Sequence, residues 1–180
     1  MTLIYAFANR WSTNVSARVL NEIANSFPSL SREGLGVGFD SKGISYQKIY
    51  GHPKTFFQTH IYGKIYDSII GLGDFYGDFP KIRLETIAKN QYGYKPISTN
   101  SPFQTTLNTP PLSYNPNIVI CKNMGNYNCN WIAYQTQLYL NSKDLDTIHL
   151  FFHLPKKLPP ALLATHITQF LLGYPILKLI

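Results

Sequence analysis

Cysteine is scarce in this chain: Cys121 and Cys129 are the only two in 180 residues. Two thiols cannot build a disulfide framework, and no further thiol is available to complete a zinc site of the CxxC type. A reducing compartment is the simpler inference, so the expected location is the cytoplasm. Acidic residues are also few, 9 Asp and Glu against 16 Lys and Arg, which leaves a formal net charge of +7. Such an excess attracts nucleic acid non-specifically. The basic residues are scattered, however, with Lys156-Lys157 the densest pair, and none interleave with aromatics as in a phosphate-tracking groove. Nucleic acid is therefore not the expected partner. Long hydrophobic runs are missing too. The opening run Leu3 to Phe7 meets Asn9-Arg10 before a signal-peptide core could form, and Leu171 to Ile180 is broken by Gly173, Pro175 and Lys178. No membrane association is expected. With no internal repeat and no linker, residues 1–180 read as a single domain with one site.

What is abundant is apolar and aromatic matter, 44% and 14% of the residues, which suits a well-filled core rather than a disordered chain. Four short apolar runs, Leu3–Phe7, Ser68–Leu72, Asn117–Cys121 and Ile148–Leu154, read as buried strands. Their continuous hydrophobicity predicts a sheet covered on both faces. Val15, Val19, Ile23 and Phe27 form one helical stripe, with Ser12, Thr13 or Asn14 as candidate cap and Pro28 as the stop. A second helix is predicted from the residues after Asn128, with Trp131, Tyr134 and Leu138 on one side, and a third from Pro160 to Leu172. The segment Gly43–His60 fits one or two strands at a more exposed edge. Gln91 to Asn115 carries four prolines amid polar residues and reads as a long surface loop, either a lid or a plain connection. Strand and helix alternate, so the predicted fold is α/β, an open and mostly parallel sheet with helices on both faces.

Three residues carry candidate chemistry. Cys129 follows an apolar strand and opens a predicted helix, where unpaired backbone N–H groups and the helix dipole stabilise a thiolate and a developing oxyanion. The competing reading is a small core residue. His153 lies near the C-terminal end of a strand, the edge of a parallel sheet where ligands gather, and a thiol beside it makes it a candidate general base. Glu85 is either the residue that orients such an imidazole or a solvated partner of Lys81 or Lys89 at helical spacing. Spacing leaves both open.

The order Glu, Cys, His and the residues around each resemble the pyroglutamyl-peptidase I family, also called pyrrolidone-carboxyl peptidases. Gly71-Leu72-Gly73, then Ile82 and Leu84-Glu85 through Ala88 and Asn90, is similar to the stretch that holds the family's acidic residue. Asn123-Met124-Gly125-Asn126-Tyr127-Asn128-Cys129-Asn130 resembles the segment of the nucleophile, and Phe152-His153-Leu154-Pro155 that of the base. Phe7, Asn14 and Ser16 resemble the opening strand, loop and helix. The resemblance implies a three-layer α/β fold and a cysteine exopeptidase acting on peptides with a pyroglutamyl-blocked N-terminus through Cys129, His153 and Glu85, without metal or cofactor. The family sandwiches the lactam between two aromatic rings. This chain keeps Phe7 and has Trp11 as the candidate for the second face, while Lys95 falls where the family places an Arg. Family members form dimers or tetramers, so a homo-oligomer is implied. The stretch between Glu85 and Cys129 is shorter than in the family by about a helix. The alternative is a diverged homologue that keeps the scaffold for binding or assembly.

Overall fold

The computed structural model describes residues 1–11, 13–26, 43–111 and 115–173. The strands are β1 (Thr2–Ala8), β2 (Ile44–Tyr50), β3 (Ser68–Phe75), β4 (Ile82–Glu85), β5 (Ile87–Lys89), β6 (Gln104–Thr106), β7 (Ile118–Cys121) and β8 (Ile148–Pro155). The helices are α1 (Val15–Ser26), the short α2 (Lys54–Phe56), α3 (Asn128–Ser142) and α4 (Pro160–Gly173). Six strands form one sheet in the order β2-β1-β3-β8-β4-β7, and β5 and β6 pair separately. The first four run parallel to one another; β4 is antiparallel to β8, and β7 runs parallel to β4. The sheet is thus mixed and mostly parallel, and the fold is α/β as expected from the apolar runs.

Side chains alternate between faces along each strand, and this alternation divides the interior in two. Ile4, Ala6, Ile70, Leu72, Leu150, Phe152 and Leu154 pack with α1 and α4. The intervening Leu3, Tyr5, Ile69 and Phe151 pack with α3 and with Phe56 of α2. Helices do cover both faces. The stripe Val15, Val19, Ile23 is buried on α1, while Phe27, Pro28 and Ser12 lie outside the described residues.

Several local features depart from expectation. Between Gly43 and His60 the expected edge strand is present as β2, but the residues after it form α2 and a single wide turn, Phe57–Ile61, instead of a second strand. Pro53, with its fixed φ, stands at the entrance of that helix. The start of α1 is held by a residue remote in sequence rather than by Thr13 or Asn14: Asp74 at the end of β3 accepts from the Ser16 N–H at 2.8 Å and the Val15 N–H at 3.3 Å. The stretch from Gln91 onward is not loose. Asn90 Oδ1 accepts from the Ile97 and Ser98 N–H groups, and the segment includes β6. No helix lies between β4 and β7 among the described residues.

Candidate active site

Antiparallel pairing of β4 with β8 sets Arg83 opposite His153 and Glu85 opposite Phe151. Residues two apart on a strand share a face, so Glu85 and His153 are diagonal neighbours, within reach of long side chains. Glu85 Oε1 lies 3.0 Å from His153 Nδ1. Glu85 is 0% exposed and His153 6%. A carboxylate buried that deeply is retained only when paired, which decides against the solvated partner of Lys81 or Lys89. With Glu85 accepting, Nδ1 carries the proton and Nε2 is left with its lone pair.

Cys129 occupies the first turn of α3, as its sequence position suggests. Its sulfur rests against Gly73 of β3. A Cβ added at Gly73 would meet Cys129 Sγ at 2.8 Å and His153 Cδ2 at 3.1 Å. The sulfur and the imidazole edge that bears Nε2 therefore share the small space that a side-chain-free residue leaves open. No hydrogen bond joins the thiol to the ring among the described residues.

The start of α3 is fixed by amides. Asn130, fully buried, donates to the Lys89 and Gln91 carbonyls and accepts from the Lys89 N–H. Tyr92 Oη bonds Asn128 Oδ1 at 3.1 Å, and Asn126 and Gly93 exchange two bonds. The segment read as a lid or a connection thus clasps the turn that presents Cys129.

The electrostatics correct one expectation. Burial pushes the Cys129 thiol up to about 12, the Asp74 and Glu85 carboxylates add to the rise, and the backbone amide of the helix's first turn only partly opposes it. Desolvation of the sulfur thus works against the helix terminus, although Cys129 as a whole is half-buried and reaches the cavity.

Cys129 and His153 open onto a cavity of about 410 Å³, whose walls include Asp74, Phe75, Arg83 and Tyr127. Arg83 was not singled out by its sequence context. Its guanidinium lies 4.4 Å from the Phe75 ring, Nη2 donates to the Asn123 carbonyl at 2.9 Å, and Nε stands 3.0 Å from Glu85 Oε1 without hydrogen-bond alignment. Its place two residues before Glu85, on the same strand face, is the signal that could have found it. Phe7 is half-buried and packs, as Cys129 does, against the core cluster on the α3 side, without lining the cavity. Trp11 is 79% exposed, and Lys95 is exposed with only its backbone tied to Tyr92. Neither lines the cavity. Among the described residues no group of His, Cys, Asp and Glu could hold a metal ion, and no helix is long and apolar enough to cross a membrane.

No protein-family model matches the sequence, and no curated protein does. Solved structures do match. The pyrrolidone carboxyl peptidase of Thermus thermophilus superimposes with a TM-score of 0.68 at 18% identity, over 95% of this chain and 98% of that one. A mutant pyrrolidone carboxyl peptidase of the hyperthermophile Pyrococcus furiosus gives 0.73 at 14% identity, over 99% of both chains. The enzyme of Thermococcus litoralis gives 0.60 at 18% identity, over 86% of this chain and 76% of that one. At these identities the likeness is one of architecture, and on it the chain has the α/β fold of the pyrrolidone carboxyl peptidases.

Proposed function

We propose that the protein is a cysteine exopeptidase that removes an N-terminal pyroglutamyl or related acyl group from a peptide. The observation that carries this reading is the disposition of three side chains: Glu85 on one nitrogen of His153, and the Cys129 sulfur beside the opposite edge of the same ring. In the reaction His153 Nε2 takes the thiol proton as sulfur attacks the acyl carbonyl, and the oxyanion is met by N–H groups in the first turn of α3. Collapse of the intermediate breaks the carbon–nitrogen bond, the departing amine takes the proton from His153, and a thioester remains. Water, deprotonated by the same imidazole, releases the acid and restores the thiol. With burial raising the thiol, the imidazole is needed to take its proton as sulfur attacks. Glu85 keeps the imidazole in the tautomer that can accept.

Acyl selectivity would fall to the cavity wall, Phe75, Met124 and Tyr127 with the Arg83 guanidinium, more than to Trp11 or Lys95. The test is release of the amine from a pyroglutamyl amide reporter by the wild type and by Cys129→Ser. Turnover abolished in the variant supports the peptidase. The alternative is a homologue that keeps the fold for binding or assembly. It predicts no turnover and iodoacetamide labelling of Cys129 no faster than that of Cys121.

A further inference from the structure

Beside α3 lies another cavity of about 410 Å³, apart from the one onto which Cys129 and His153 open. Phe57, Tyr62, Ile97 and Trp131 form its apolar walls, with the amides of Gln58 and Gln135 among them. Lys54 also stands on its wall, and no carboxylate does among the described residues. Apolar and aromatic walls with a few polar groups, at this volume, suit a small ligand or one large side chain. The walls are fixed in advance. Phe57 meets Trp131 edge to face at 6.1 Å, Tyr62 contacts Phe57 and Tyr139, and Asn90 Oδ1 accepts from the Ile97 N–H at 2.9 Å.

Two features join this cavity to the candidate active site. The first is helical register. Tyr127 lines the cavity of Cys129, whereas Trp131 and Gln135 line the other, and residues four apart on a helix share a face, about 6 Å further along it at each step. Tyr127 stands just before α3, and its carbonyl accepts from the Trp131 N–H at 2.8 Å, so it belongs to the first turn. The second is a row of rings. From Tyr127 to Tyr92, on to His52 and then to Trp131, successive centroids are 6.4, 5.2 and 5.2 Å apart, each pair edge to face. Tyr127 and His52 are exposed, and Tyr92 and Trp131 half-buried, so the row is a surface and not core. One segment serves both cavities: Gly93 is bonded to Asn126 on the wall of the first, and Ile97 is on the wall of the second.

We propose that this second cavity receives an apolar side chain, best an aromatic one, from the part of a peptide substrate that follows the scissile bond, with the rings from Tyr127 to Trp131 as its track. The proposal rests on the reading of Cys129 as a nucleophile, since that fixes where the blocked N-terminus sits. An extended chain advances about 3.3 Å per residue. The ring row therefore spans no more than about five residues, and the side chain that enters the cavity belongs to about the third to fifth residue after the pyroglutamyl group. Peptide carbonyls on the way meet the Gln58 and Gln135 amides and the His52 ring. His52 Nδ1 accepts from the Lys54 N–H at 3.2 Å, which leaves Nε2 with the proton and able to donate. The Lys54 ammonium favours a neutral or acidic peptide over a basic one. The substrate class is thus a blocked oligopeptide with an apolar residue a few positions from its N-terminus, not a dipeptide.

The test compares a pyroglutamyl group followed by five glycines with peptides in which phenylalanine replaces the third, fourth or fifth glycine, by the rate of amine release. At one of these positions kcat/KM should be about tenfold above that of the all-glycine peptide, the scale of partly burying one aromatic ring. The gain should lie in KM, as expected of binding remote from the reacting bond. Trp131→Leu should bring the ratio to about one. So should Gln135→Trp, which fills the cavity while keeping the packed Trp131 ring, and which decides if Trp131→Leu lowers the midpoint of thermal unfolding. Equal kcat/KM for all four peptides, in a wild type that turns over the amide reporter, removes the subsite and leaves the peptidase. A phenylalanine preference that Gln135→Trp retains also removes the subsite. If no peptide and no reporter is turned over, calorimetric titration of the same peptides decides. Tighter binding of a phenylalanine peptide, lost in Gln135→Trp, keeps the groove and removes the peptidase; equal binding or none removes both.

Discussion

The two faces of the sheet are built from different materials. Toward α1 and α4 the buried side chains are mostly aliphatic, with Phe152 and Phe170 as the aromatic exceptions and Thr2, Ser16, Ser68 and Asp74 as polar ones. Toward α3 the same strands present Tyr5, His149, Phe151, His153, Arg83 and Glu85, and the helix answers with Asn130, Thr136 and Gln137, all buried. Most of the unpaired buried side-chain atoms lie on the α3 side, Tyr5 Oη, Arg83 Nε, Glu85 Oε2, Thr136 Oγ1 and His149 Nε2 among them, while Asn14 Oδ1 lies at the start of α1. Dispersion and hydrophobic burial dominate the first face, where the buried polar groups are paired with one another, Thr2 with Ser68 and Ser16 with Asp74, whereas on the second several buried polar atoms are unsatisfied and subtract from stability. One face holds the fold together, and the other gives up stability for a set of groups able to exchange protons.

Breaking the aliphatic face should have the largest effect. Phe152 is fully buried and packs edge-on against Phe170 at 5.6 Å. Phe152→Ala should cost about 3–5 kcal/mol, through lost burial and the cavity left behind. Urea denaturation would show it, while the labelling rate of Cys129 in the folded protein should stay within a factor of two or so, a change too small to signal an altered site. A large change in labelling would mean that the two faces are not separable.

A smaller and pH-dependent effect belongs to the polar face. His149 donates from Nδ1 to Gln137 Oε1 at 3.1 Å, its Nε2 is bare, and burial lowers its pKa to about 3. The folded state keeps this imidazole neutral, while the unfolded chain protonates it at about 6.5. Between those two values the unfolded state binds more protons, so stability falls as pH falls, by about 1.4 kcal/mol per pH unit. From pH 7 to pH 5 the loss should approach about 2 kcal/mol. His149→Gln should flatten that part of the stability profile, measured by urea titration at each pH. A profile equally steep in the variant would assign the slope to other groups.

The aliphatic half was legible because its signals are local. Continuous runs marked β1, β3, β7 and β8, and the helical spacing of Val15, Val19 and Ile23 marked α1. β4 was hidden by its own chemistry. Arg83 and Glu85 alternate with Ile82 and Leu84 as a half-polar strand does, but Lys81, Glu85 and Lys89 also stand at helical intervals, and only the pairing with β8 chooses between the two. Reversal of β4 and β7 relative to the other strands left no local trace either. The Cys129, His153 and Glu85 trio was readable from the order of motifs, whereas the state of the thiol was not. A sulfur's solvation depends on what lies over it, and Gly73 is fifty-odd positions away in the chain. The places of Trp11 and Lys95 depended on a loop path that residue types alone do not specify.

Asp74 is where the two faces meet, and it sharpens the comparison with the smallest expected change. Its carboxylate serves the aliphatic side as the cap of α1, accepting from Ser16 N–H, from Ser16 Oγ at 2.7 Å, and at 3.3 Å from Val15 N–H and Asn14 Nδ2. It also lines the cavity, and after burial it is the largest contributor to the raised thiol. Asp74→Asn keeps the shape and one acceptor oxygen but removes the charge. The cap should weaken by about 1 kcal/mol, as the helix N-terminus loses its anion. Meanwhile the thiol loses a repelling neighbour, its pKa should fall, and labelling by iodoacetamide near neutral pH should quicken. Stability and reactivity are expected to move in opposite directions here. Should Asp74→Asn label no faster than wild type, the charge that matters to the sulfur lies elsewhere, and the division of labour between the faces would extend to the end of β3.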